Sequence, residues 1–173
     1  MIAPLLDKAE KTHSPHELLL ADLSAMLEVE KQIAKSLPKM QKAANDHRLS
    51  QRLGRHEKET REQVKRLERA FKALDTRPSR RNAAGIDGLS TEFTESSRSV
   101  GPGLADLVTL NVASRVEHYE IAAYESLIEL ARALGEREVQ QLLERNLKEE
   151  KAMLADAGKH ARRLNQAAAA LEE

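Results

Sequence analysis

The stretch Leu104–Gly135 reads LADLVTLNVASRVEHYEIAAYESLIELARALG. Leu104, Leu107, Leu110, Ile121, Tyr124 and Ile128 fall at three- and four-residue steps, the spacing of one face of an α-helix. Ser114 and Glu117 occupy the same face, so a carboxylate stands where an apolar side chain belongs. Gly135 closes the segment, since glycine takes the left-handed conformation that ends helices at no steric cost.

Working outward, a second helix starts at once. Val139, Leu142, Leu143, Asn146, Glu150, Met153 and Ala157 form its face, which extends towards Leu164. Towards the N-terminus, Ser14-Pro15-His16-Glu17 combines an N-cap serine, proline at the first helical position and glutamate three residues on, a capping box. From it runs a face of Leu19, Leu23, Met26, Glu30, Ile33, Leu37 and Met40. Pro38 is expected to bend this helix near its end and Asn45-Asp46 to close it. The next face carries Leu49, Leu53, His56, Thr60, Val64, Leu67, Phe71 and Leu74. Between Asp75 and Gly103 the pattern is broken by two prolines and three glycines ahead of the last one, and Ile86, Leu89, Phe93 and Val100 suggest only a short helix. The Ala167–Ala170 run is helix-prone but carries no periodicity.

Composition agrees. Of 173 residues, 2% are aromatic, with seven Gly and five Pro, against 32% charged, which starves a β-sandwich or barrel and suits long helices. Two tight hairpins joined by a long connection predict an all-α, ferritin-like antiparallel four-helix bundle with one long crossover between helices two and three. The expected organisation is an N-terminal tail at 1–13, the bundle at 14–165 and a C-terminal tail at 166–173.

The absence of cysteine excludes disulfides, thiolate metal sites and cysteine nucleophiles. The opening Met1–Leu6 is too short for a signal segment and no run approaches a membrane span, so a cytoplasmic location and no membrane partner are expected. Net charge is zero but unevenly spread. Residues 47–81 carry 12 Lys/Arg against 5 Asp/Glu, and residues 104–156 carry 6 against 11. A basic stretch admits nucleic acid as a partner, but no aromatic is interleaved for base stacking. Pairs such as Glu57–Arg61, Glu62–Arg66 and Glu144–Lys148 fit a solvated helix surface instead.

The chemistry lies in what interrupts the apolar faces. Glu30 interrupts the first, His56 the second with Glu59 one turn on, Glu117 the third with Glu120 one turn on, and Glu150 the fourth. One glutamate on an apolar face is commonly a boundary residue, and His56 alone fits either a satisfied core histidine or a ligand. Four interruptions, one per helix, are a different matter. Buried carboxylates repel and lose hydration, at several kcal/mol per ion. Two divalent cations would balance Glu30, Glu59, Glu117 and Glu150, and oxygen ligands with one imidazole suit iron or manganese. Glu120 is a further candidate ligand. His118 is off the stripe, a surface or supporting residue, and Tyr124 and Met153 read as core filling. His13, His16, His47 and His160 read as residues of the tail or of helix ends.

Four stretches resemble the YciF/YciE-type stress-associated branch of the ferritin-like superfamily. They are Glu30-Lys31-Gln32 with Leu37-Pro38-Lys39-Met40, His56-Glu57-Lys58-Glu59-Thr60, Val116–Tyr124, and Glu149-Glu150-Lys151. The resemblance implies a ferritin-like bundle, a di-metal centre and a homodimer, and it brings no settled activity. The Glu-x-x-His spacing of better-known di-iron bundles occurs only at Glu10–His13, ahead of the capping box. Three functions are therefore open. The favoured one is a di-iron or di-manganese oxidoreductase acting on O2 or peroxide in stress, with about two ions per subunit. The others are a non-catalytic binding or structural protein, and a DNA-associated protein using the basic second helix. Nothing in the sequence announces the hollow cage of an iron store.

Overall fold

A computed structural model describes residues 12–170. Its helices are α1 (Pro15–Ala43), α2 (His47–Ala73), α3 (Ala84–Arg98), α4 (Ala105–Ala133) and α5 (Arg137–Ala169), with one turn of 3-10 helix at Pro102–Leu104. No strand occurs among the described residues. The four long helices are those expected from the apolar faces. The crossover holds α3, a 15-residue helix with Ile86 as its single buried residue. The helix α5 continues to Ala169, past Leu164 and into the stretch expected to be a tail, because Gln166–Ala169 are good helix formers and no breaker intervenes. Glu10 and the rest of 1–11 lie outside the described residues.

Local signals act as their chemistry requires. Ser14 Oγ accepts from the Glu17 N–H at 3.1 Å, and Glu17 Oε2 accepts from the His13 N–H at 2.7 Å. Pro38 lies within α1, which runs on for five residues beyond it before ending at Ala43. Asp46 caps α2 by accepting from the Leu49 N–H at 2.9 Å. Gly135, at φ +79°, ends α4, and the Glu136 N–H reaches back to the Ala131 carbonyl at 2.9 Å, the hydrogen bond that closes a Schellman turn.

Helix α1 packs on α2 and α4 on α5, and the hairpins meet through α2 on α5 and α1 on α4. Direction follows from the end contacts. The Asp106 carboxylate, at the start of α4, accepts from the Asn45 and Asp46 N–H groups at 3.0 and 2.7 Å. Arg163, late in α5, pairs with Asp46 at 2.7 Å. The α1 C-terminus, α2 N-terminus, α4 N-terminus and α5 C-terminus therefore share one end, and the crossover returns the chain along the bundle's length. Leu19, Leu23, Leu67, Phe71, Leu127 and Leu143 are buried towards the opposite end. Midway between lies a belt of buried polar residues. On α2 the buried face turns from Thr60 to Gln63 rather than to Val64, which is only half-buried.

Candidate metal centre

Each long helix delivers its interrupting residue to that belt. Glu30 of α1, His56 of α2, Glu117 and Glu120 of α4, and Glu150 of α5 are all 2% exposed or less. One atom each from His56, Glu117, Glu120 and Glu150 lies within 4.8 Å of all the others. The i,i+3 spacing of Glu117 and Glu120 puts both on one face of α4, while the antiparallel pairing sets His56 and Glu150 opposite. Glu30 borders the group, close enough to interact with His56, Glu117 and Glu120. Glu59, an expected ligand, stands outside it. It is half-exposed and pairs with Arg52 at 2.9 Å and His56 Nδ1 at 3.5 Å.

Hydrogen bonds fix one oxygen each of Glu30 and Glu150 and leave Glu120 bare. The Tyr124 hydroxyl donates to Glu30 Oε1, and Gln63 Nε2 donates to Glu150 Oε1. Asn146 Nδ2 donates to the Tyr124 oxygen at 2.8 Å, and Asn146 Oδ1 accepts from Arg66 Nε at 2.5 Å. Arg66 also pairs with Glu149. One oxygen each of Glu30, Glu117 and Glu150, and both of Glu120, have no partner. His56 Nε2 sits 3.2 Å from Glu117 Oε1, an ion-pair distance, yet neither ring nitrogen is aligned for a hydrogen bond.

Such a cluster holds protons when no cation is present. Burial pushes the Glu30 carboxyl up to about 8, with its Tyr124 hydrogen bond only partly offsetting this. Burial and the neighbouring carboxylates raise Glu120 and Glu150 well above the usual range. Burial pulls His56 down, but Glu117 and Glu59 outweigh it and raise the imidazole to about 9. Glu59 falls to about 2 through its contact with His56 and the Arg52 charge. Five unpartnered carboxylate oxygens facing one imidazole are the donor set of a hard or borderline divalent cation.

Several contributors were not apparent in the sequence. Tyr124, read as core filling, is the partner of Glu30, and Gln63 and Asn146 brace the cluster from α2 and α5. Arg52, counted in the basic stretch, is 3% exposed and joins α2 to α5 through Asp156 at 3.1 Å. Arg66 turns inward as well, and Glu62 pairs with Lys65 instead, at 2.5 Å. The one available signal was position: Gln63 lies seven residues after His56, on the same helical face. His118 bonds only its own helix, at the Ser114 carbonyl, 2.7 Å away.

Residues 14–170 match the family described as a domain of unknown function, DUF892. The chain is 34% identical to protein YciF of Escherichia coli K12 over 132 residues, 75% of this chain and 80% of that protein. The crystal structure of the E. coli stress protein YciF superposes with a TM-score of 0.85 at 29% identity, covering 90% of this chain and 99% of that one. YcfI of Rhodopseudomonas palustris, described as a candidate structural protein, gives 0.82 at 39% identity over 84% and 94%. A Xanthomonas campestris protein shares the fold at a TM-score of 0.73 and 22% identity, over 92% and 99%. This all-helical bundle, with its buried His/Glu cluster, belongs to the DUF892 family and is similar to the stress protein YciF.

Proposed function

We propose that this chain is a metal–carboxylate bundle of the ferritin-like kind that handles O2 or peroxide under stress, with two iron or manganese ions per subunit. The observation that carries the reading is the set of buried, unpartnered oxygens on Glu30, Glu117, Glu120 and Glu150 around His56. Unsatisfied buried oxygens are costly, and a divalent cation is the partner that would satisfy several together. Glu117, Glu120, Glu150 and His56 would hold the metal, and Glu30 would complete the set from α1. Glu59 would act through the imidazole, orienting it from the opposite nitrogen. Bound ions of this type supply electrons and Lewis acidity for reducing dioxygen or peroxide. The protein's part is to exclude bulk water, to keep Glu30 and Glu150 oriented through Tyr124 and Gln63, and to release the protons of the cluster as cation replaces them.

The test is oxygen or peroxide consumption after anaerobic loading with Fe(II). Wild type should consume oxidant, whereas Glu120→Gln should lose most of the rate. No consumption by a metal-loaded protein would move the function to the second reading, a non-catalytic binding or structural protein. The likeness to YcfI favours that alternative. Association with DNA has less support, because much of the basic charge of α2 is taken up within the chain. Arg61 pairs with Glu57 at 2.7 Å, and Arg52 and Arg66 point inward. A homodimer is proposed on the family resemblance.

A further inference from the structure

A cavity of about 400 Å³ opens between α1, α3 and α4 and ends on His56 and Glu117. Its size lies within the roughly 300–1,000 Å³ of small-molecule sites. Its polarity is graded along its length. The inner end has Leu53 and Met153 beside the buried histidine and glutamate, and its walls are Ile33, Leu37, Ile86 and Val112, each 8% exposed or less. The outer end is formed by exposed Ser36, Lys39, Ser90 and Thr94. Lys39 makes no ion pair among the described residues, and Glu117, at the far end, is the single acidic residue of the lining. The Ser36 and Thr94 hydroxyls donate to the Gln32 and Ser90 carbonyls at 3.0 and 2.9 Å, which leaves Lys39 and the Ser90 hydroxyl as donors at the mouth. An apolar cavity with one cation and one hydroxyl at its mouth matches one ligand chemistry: a flexible aliphatic chain ending in a carboxylate.

We propose that this cavity binds an aliphatic monocarboxylate, its head at Lys39 and the Ser90 hydroxyl and its tail along Ile33, Leu37, Ile86 and Val112 towards the buried end. The occupant would be the organic substrate, or a protective ligand, of the proposed centre, and in that respect the inference rests on the proposed function. The wall contributed by α3 is suited to admitting it. That helix packs chiefly on α4, buries one residue, and starts without a side-chain cap. It is the least anchored of the five α-helices, the kind of element that opens at little cost.

Calorimetric titration of the metal-free protein with decanoate tests the inference. Saturable binding is expected, with affinity rising about three- to fourfold for each methylene from hexanoate to decanoate. Lys39→Glu should weaken decanoate about fivefold or more and leave decanol within about twofold. Ser90→Trp, on the exposed rim of α3, should block both ligands while the thermal melt stays that of wild type. Ala113→Phe, deeper in the wall, should do the same, with folding checked by circular dichroism. No binding of decanoate, or binding unchanged in both blocking variants, would overturn the proposal. Decanol binding with decanoate excluded would also overturn it, since the head-group assignment would be wrong. Titration with Fe(II) runs beside it. A protein that takes metal but no decanoate retains the proposed centre and loses this cavity. One that takes decanoate but no metal keeps the cavity and loses the centre.

Discussion

Glu120 is 1% exposed and both of its oxygens lack a partner, so it carries the least compensated charge of the cluster. Burial and the Glu30 and Glu117 charges raise its pKa. Glu120→Gln should therefore stabilise the metal-free protein by about 1 kcal/mol at pH 8, roughly 2–4 °C in Tm, and weaken Fe(II) or Mn(II) binding. At about pH 4, where the carboxyl is already protonated in both folded and unfolded chains, the gain should vanish. Thermal melts at both pH values check this, and a variant that is neutral at each would place Glu120 in water. The neighbouring titrations set the profile of the metal-free wild type. Glu30 is raised from 4.5 to about 8, so the folded state keeps a proton that the unfolded state gives up. Its contribution is complete below pH 4.5 and lost as pH climbs to about 8. His56, raised from 6.5 to about 9, loses its contribution over that interval in the same direction. Glu59, lowered to about 2, works the other way and costs stability only in acid, as pH falls from 4.5. Urea midpoints should thus decline from about pH 5 to pH 9, and saturating metal should flatten the decline by binding only the folded state. A flat profile without metal would contradict the burial of these groups.

The helices differ in how plainly the sequence announced them. The apolar steps of α1, α2, α4 and α5 are clear because each helix buries a full stripe against two neighbours. Helix α3 was indistinct for the opposite reason: with only Ile86 buried, packing imposes almost no period on it. The interruptions at Glu30, His56, Glu117 and Glu150 stood out against apolar stripes. Their braces did not. Tyr124 and Glu30 are 94 residues apart, and Gln63 and Glu150 are 87 apart, so neither pairing leaves a mark in local spacing. Arg52 was counted with the surface cations because charge alone carries no sign of burial. Between elements, Asp106 ties the α1–α2 turn to the start of α4 through two backbone N–H groups. Asp106→Ala would leave both donors without that partner at a half-buried site. It should cost about 2 kcal/mol with little change in helix content. Urea unfolding followed by circular dichroism checks this, and a loss below about 0.5 kcal/mol would show that the turn holds without it.

At the scale of the whole molecule, the fold brings the polar interruptions of four helices to one level, and on the proposed reading a cation would satisfy their bare oxygens. No helix among the described residues is long and apolar enough to cross a membrane. A homodimer is the assembly proposed from the family resemblance. Light scattering should give a dimer, and a 12- or 24-subunit particle would refute this and revive iron storage. On the proposed reading the buried cluster is a metal site. Elemental analysis by plasma mass spectrometry tests it most directly, on protein purified without chelator, supplied anaerobically with Fe(II) or Mn(II), and freed of loose ions by gel filtration. The account predicts about two retained ions per chain, falling sharply in Glu120→Gln and Glu150→Gln. Wild-type protein that emerges without stoichiometric metal, or variants that retain as much as wild type, would contradict it.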